Sequence, residues 1–225
     1  MKTLAQIYAE MNKDPDNRLT NKGDFEHGGY FRCHVDLYEE ILAPYRQTAT
    51  RVFEIGINKG GSIRMWKEYF PEATIFGLDS SKGVVRNMQA AKVDRVTALR
   101  LNQNDRDQLQ DFADTYGLHA WEKFDIGIDD GSHYWEDQIK SFQVLWPTIK
   151  DGGLYVCEDT LNSYYTKAGN DGQSAIDYFK GLVNELNFHG DSDVSSPTEY
   201  QSTIGWIGFR YNVIFIKKQL VAHVT

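Results

Sequence analysis

The chain has 225 residues, which suits one domain of the larger single-core kind, or one domain with a lid. Its apolar fraction of 41% and charged fraction of 25% are those of an ordinary soluble globular protein. A net charge of -8 argues against nucleic acid or an anionic membrane as partner, because phosphate recognition leans on Lys and Arg. Two cysteines, Cys33 and Cys157, without CxxC spacing, fit a reduced cytoplasmic protein. Met1 to Asn12 lacks the apolar core of a signal peptide. No run reaches the roughly 18 apolar residues of a membrane helix, so a cytoplasmic location is expected.

In chain order, residues 1–45 read as a helical N-terminal cap or lid with a polar loop from Asp14 to Gly29, and residues 46–225 as the main domain. Arg51-Val-Phe-Glu-Ile55 is a β-rich run ending in glycine. A helical stretch opens at Ser62, with Ile63, Trp66 and Phe70 apolar and Pro71 closing it. Thr74 to Leu78 is the next strand and ends at Asp79. Val96 to Leu101 is a third and Phe124 to Ile128 a fourth, ending at Asp129 and Asp130. Trp135, Ile139, Phe142 and Trp146 fall on one helical face that Pro147 stops, so core packing is the expectation for Trp135. Gly153 to Cys157 is a fifth strand, ending at Glu158 and Asp159. Asn162 to Gly172 reads as a polar, tyrosine-bearing loop. Thr203 to Phe209 and Asn212 to Lys217 read as a hairpin. The whole predicts an α/β fold: a doubly wound, mostly parallel, seven-stranded Rossmann-like sheet whose C-terminal hairpin strand is antiparallel.

In such sheets ligands bind beyond the carboxyl ends of the strands. Acids recur there, at Asp79, at Asp129-Asp130 and at Glu158-Asp159. Glycines 56, 60 and 61 after the first strand let the backbone approach a ligand, but the spacing is not GxGxxG, which disfavours a nicotinamide dehydrogenase. Asp79, 19 residues after Gly60, sits where an acid accepts ribose hydroxyls. Asp130, Glu158 and Asp159 are hard oxygen donors suited to Mg²⁺, with the alternative that they cap helices or face water. Asp130 in particular is placed to cap a helix starting near His133. Of the six histidines, His133 alone stands inside this constellation, as a general-base candidate or as a helix-start residue satisfied by backbone. His27 and His34 lie in the cap, where they could line the acceptor pocket, although a surface role is the simpler expectation. Tyr164, Tyr165 and Trp135 are candidates for stacking on a substrate ring, with core packing the default for Trp135. The acidic run from Asp105 to Asp114 reads as the solvated face of a helix.

Several stretches together resemble the class I S-adenosylmethionine-dependent methyltransferases. They are Phe53-Glu-Ile-Gly-Ile-Asn-Lys-Gly-Gly-Ser62, Gly77-Leu-Asp79, Ile128-Asp-Asp-Gly-Ser-His133, Leu145-Trp-Pro and Gly152-Gly-Leu-Tyr-Val-Cys-Glu-Asp159. Within that class the chain is similar to the metal-dependent sugar and macrolide O-methyltransferases of the mycinamicin and tylosin type, and to the cephalosporin-biosynthesis methyltransferase-like proteins. Thr20-Asn-Lys-Gly23 resembles the family's threonine-acid-lysine-glycine segment, with Asn21 in the acid's place. The resemblance implies that Glu54, Gly56, Asn58 and Gly60 flank the amino-acid end of S-adenosylmethionine and that Asp79 holds its ribose. It implies further that Gln103 and Asn104 lie near the adenine and Asp129 near the methionine moiety. It makes Asp130, Glu158 and Asp159 ligands of Mg²⁺ or another divalent cation, and His133 the catalytic base. Tyr164 and Tyr165 are expected to touch the substrate.

The resulting expectation is an O-methyltransferase acting on a hydroxyl of a sugar or sugar-containing small molecule, working as a homo-oligomer. Two alternatives stand beside it: a catechol-like or other natural-product acceptor, and a cofactor-binding protein without turnover.

Overall fold

A computed structural model describes residues 1–13, 20, 22, 25–27, 30–32, 34–119, 121–165, 172–187 and 198–219. Most of the Asp14 to Gly29 loop, together with Cys33 and residues 166–171 of the loop after Asn162, lies outside the described residues. The chain forms two compact units, Met1–Leu101 and Asn102–Thr225.

The first unit opens with helix α1 (Leu4–Met11), started by a reciprocal cap between Thr3 and Gln6. Strands β1 (Phe25–His27) and β2 (Tyr30–Arg32) pair antiparallel, so the expected helical cap also contains a small hairpin. Helix α2 (His34–Leu42) follows. Then strand and helix alternate: β3 (Arg51–Ile55), α3 (Gly61–Tyr69), β4 (Thr74–Asp79), α4 (Lys82–Ala90) and β5 (Val96–Arg100). Strand β4 runs parallel to both β3 and β5. Tyr38 of α2 meets Trp66 of α3 edge-on at 5.1 Å, and Trp66, Tyr69 and Phe70 are all fully buried. Burying a large apolar side chain of this kind contributes about 1.5–3 kcal/mol.

The second unit contains α5 (Arg106–Tyr116), β6 (Phe124–Asp129), α6 (Trp135–Leu145), β7 (Ile149–Glu158) and a short 3-10 turn (Thr160–Tyr164). After these come α7 (Ala175–Leu186), α8 (Glu199–Thr203), β8 (Ile204–Arg210) and β9 (Val213–Lys218). Strands β6 and β7 are parallel, while β9 runs antiparallel to both β7 and β8. Phe142 is the hub of the core, with ring centres of Trp146, Tyr155 and Phe179 at 5.2–5.3 Å. Strands β3 to β9 make the expected seven-stranded, mostly parallel sheet with its antiparallel C-terminal hairpin.

Three further features differ from the sequence reading. Strand β7 begins at Ile149 rather than Gly153, with an irregularity opposite β6. Helices α7 and α8 were not expected, although Ser174 caps α7 through the backbone N–H of Asp177, and Ala175, Phe179 and Leu182 line a buried face. His34 is buried rather than on the surface. Among the described residues no helix is long and apolar enough to cross a membrane.

Candidate functional site

In the first unit the chain leaves β3 through a turn in which Gly56, Asn58 and Gly60 all have positive φ, at 100°, 47° and 76°. Gly60 is the N-cap of α3 and has no side chain to cap with. A Cβ on it would lie 2.8 Å from the Arg64 guanidinium and 2.9 Å from the Met88 sulfur. The turn is tied to the neighbouring strand by the Gly56 N–H, which donates to the Leu78 carbonyl at 2.7 Å. Asp79, the last residue of β4, completes the tie. Its Oδ2 accepts the N–H groups of Ile57 and Asn58 at 3.1 and 3.2 Å, and its Oδ1 accepts that of Ser81 at 2.8 Å. These three bonds leave about one of the carboxylate's four lone-pair positions for a ligand hydroxyl.

Glu54 points into the interior and is fully buried. The Ser62 hydroxyl donates to it at 2.7 Å, and the Lys22 ammonium stands 3.2 Å from its other oxygen. Lys22 is itself buried and lies over the Trp66 ring at 5.9 Å. The sequence reading assigned Lys22 no role; the Thr20-Asn-Lys-Gly23 segment was the signal that marked it.

In the second unit Asp129 closes β6 and is 1% exposed. Gln103 donates to both of its oxygens, at 2.7 and 2.8 Å, and accepts the Ser132 N–H at 2.8 Å. The Gly131 N–H and the Tyr155 hydroxyl add longer bonds to the same carboxylate, at 3.3 and 3.5 Å. Burial raises the Asp129 carboxyl to about 7, opposed by the Gln103 hydrogen bonds. Asn104 does not join this group. It is exposed, and its carbonyl accepts from the Lys140 ammonium at 2.7 Å.

The next residues gather the remaining candidates. Ligand atoms of Asp130, His133 and Asp159 lie within 4.8 Å of one another, and an oxygen of Glu158 lies within 4.8 Å of one on Asp130. Asp130 does not cap α6, whose N-cap is Tyr134 without a side-chain cap bond. His133 and Asp159 both adopt left-handed backbone, at φ 60° and 55°. His133 Nε2 faces Asp159 Oδ2 at 3.3 Å, while His133 Nδ1 is buried with no hydrogen-bond partner among the described residues. Glu158 is buried, and its carbonyl accepts from the Gln138 amide at 2.8 Å. Asn212, which the sequence reading did not single out, donates to Asp159 Oδ1 at 2.5 Å. Only strand pairing brings it there, so no local signal could have marked it.

Tyr164, the last residue of the 3-10 turn, and Tyr165, just past it, are 71% and 48% exposed. Trp135 is half-buried rather than a core residue, and its indole N–H donates to the Asn162 carbonyl at 2.8 Å. The acidic helix face is as expected, with Asp105 capping α5 through the N–H groups of Asp107 and Gln108. Cys157 is a buried free thiol whose pKa burial pushes up, with Asp129 and Glu158 adding to the effect.

No protein-family model matches the chain. It is 33% identical to the demethylmacrocin O-methyltransferase of Streptomyces fradiae over 91% of its length, covering 53% of that protein. It is 30% identical to the L-olivosyl-oleandolide 3-O-methyltransferase of Streptomyces antibioticus, over 88% of this chain and 53% of that one. A solved structure of the MycE methyltransferase of mycinamycin biosynthesis, in complex with Mg, SAH and mycinamycin VI, superposes with a TM-score of 0.76 at 28% identity. That match covers 97% of this chain and 54% of the other. The chain thus spans about half the length of the relatives it matches. With the seven-stranded sheet and both clusters in place, the chain has the class I S-adenosylmethionine-dependent methyltransferase fold and resembles the sugar and macrolide O-methyltransferases.

Proposed function

We propose that the chain is an S-adenosylmethionine-dependent and Mg²⁺-dependent O-methyltransferase acting on a hydroxyl of a sugar or sugar-containing small molecule. The observation that carries this reading is the convergence of Asp130, His133, Glu158 and Asp159 at the ends of two adjacent parallel strands. Carboxylates this close repel one another, and a hard cation with open positions for substrate oxygens relieves the repulsion. The turn after β3 also fits its role. Its glycines leave backbone close to a ligand, and Asp79 keeps an acceptor position for a ribose hydroxyl.

When bound, the cofactor supplies an electrophilic methyl group and the cation lowers the pKa of the acceptor hydroxyl. The chain's own residues do the rest. Asp130, Glu158 and Asp159 hold the cation. Asp159 faces the imidazole of His133 at Nε2, and the imidazole takes the acceptor's proton. Tyr164 and Tyr165 offer exposed rings to the acceptor. The turn from Glu54 to Gly60, Gln103 and Asn104 are the residues assigned to the cofactor.

Support for a sugar acceptor comes from a relative whose name specifies an olivosyl-bearing acceptor. Residues 1–45 act as a cap, a role supported by the buried reach of Lys22 to Glu54. Cytoplasmic location and homo-oligomeric assembly complete the proposal, in keeping with the acidic composition.

The test is transfer of labelled methyl from S-adenosylmethionine to deoxysugar glycosides, sugar nucleotides and catechols, with chelator and with Mg²⁺. Transfer to a glycoside that chelation stops and Mg²⁺ restores is expected. Transfer to catechols alone, or turnover indifferent to chelator, overturns the reading.

A further inference from the structure

We infer that Asn212 is a positioning residue, which sets the orientation of the Asp159 carboxylate for cation binding. This inference rests on the metal reading of the acid cluster proposed above. Asn212 sits in the two-residue turn between β8 and β9, is 5% exposed, and has a left-handed backbone at φ 61°. Its side chain spans two partners. The amide nitrogen donates to Asp159 Oδ1 at 2.5 Å, and the amide oxygen accepts the Leu161 N–H at 2.8 Å. Its backbone carbonyl accepts the Thr160 N–H at 3.4 Å. One residue of the C-terminal hairpin therefore grips three consecutive residues just past β7.

The consequence for Asp159 is geometric. With Oδ1 taken by Asn212, the oxygen turned toward His133, and so toward the Asp130 group, is Oδ2. A carboxylate free to rotate would present either oxygen, or neither, to a cation. Groups that hold a ligand in this way are typically worth about 10- to 100-fold in metal affinity. An amide suits the task because it donates to the acid and accepts from the backbone at once, which neither a hydroxyl nor a carboxylate does in this spacing. The left-handed backbone also limits which residues fit, and Asn is among those that adopt it readily.

Mn²⁺ binding followed by electron paramagnetic resonance tests the assignment, on the parent chain and on Asn212→Gly, Asp159→Ala and Asn212→Ser. Glycine keeps the turn conformation and removes only the side chain. Binding by Asn212→Gly about 10- to 100-fold weaker than by the parent is expected, with its melting temperature close to the parent's. Excess Mg²⁺ should restore its methyl transfer, a rescue that a merely structural defect would not show. Asn212→Ser keeps a polar group too short to reach both partners and should give the same loss, which serves if the glycine variant does not fold. If the parent binds Mn²⁺, Asp159→Ala loses it and both Asn212 variants bind like the parent, the positioning role is wrong while the metal reading stands. If the parent binds no Mn²⁺, the metal reading fails and this inference with it; if it binds and Asp159→Ala binds equally well, Asp159 is no ligand and this inference alone fails.

Discussion

The turn after β3 and the acid cluster after β6 and β7 are built on opposite plans. The turn is a backbone device: three residues with positive φ within five positions, and one carboxylate, Asp79, collecting neighbouring N–H groups. The acid cluster is a side-chain device. Its members come from residues 130, 133, 158 and 159, and the group that orients one of them comes from residue 212. A turn of the first kind is specified by residues almost adjacent in the chain. A cluster of the second kind exists only once β6, β7 and β9 have paired. The former should therefore fail through backbone strain, and the latter through chemistry with the fold intact.

The largest expected effect breaks the chemical side of that contrast. His133→Ala should lower methyl transfer about 10²- to 10⁴-fold while leaving Mn²⁺ binding and the melting temperature unchanged. The proximity of His133 Nε2 to Asp159 makes the alternative sharp: if Mn²⁺ affinity falls with the rate, the imidazole is a cation ligand and not the base. A smaller effect is expected from the backbone side. Gly60→Ala places a Cβ at φ 76°, at a cost of about 1–2 kcal/mol. Its contacts, the tips of Arg64 and Met88, are flexible enough to yield. The melting temperature should drop by a few degrees and cofactor affinity should fall, with Mn²⁺ binding untouched. A melting temperature equal to the parent's would remove backbone strain from the account of this turn.

The smallest effect concerns another long-range contact of the second unit. Lys218 is buried and donates to the Trp146 carbonyl at 3.1 Å. Burial lowers its pKa to about 8, with Lys123 adding to the effect. The folded state thus holds this proton less tightly than the unfolded chain, so stability should rise between pH 8 and about 10.5, where the unfolded lysine still carries the proton the folded one has lost. In Lys218→Met that rise should be absent from denaturation midpoints measured across the window. An unchanged pH dependence would mean that the lysine titrates normally.

The strands were legible because each is a short β-rich run, four of the five parallel ones closed by a glycine or an acid, and the hairpin because two such runs stand two residues apart. Helix α7 was missed although its cap, Ser174, and its apolar face at Ala175, Phe179 and Leu182 were present. Those residues lie beyond a polar loop that read as continuing. His34 was read as a surface residue because polarity is a poor guide to burial when a side chain packs inside a cap. Trp135 fitted a helical apolar face, but its indole N–H needed a partner and found the Asn162 carbonyl.

By itself the sequence determined which elements form and which chemical groups stand at the strand ends, since strand runs, glycine turns and terminal acids are all local. Only the tertiary structure decided that Asp130 shares one neighbourhood with Asp159 and Glu158, and that Lys22 reaches Glu54. It also decided that Asn212 grips Asp159 across 53 residues. The physical reason is that strand pairing and burial, not spacing along the chain, bring such groups within hydrogen-bonding reach.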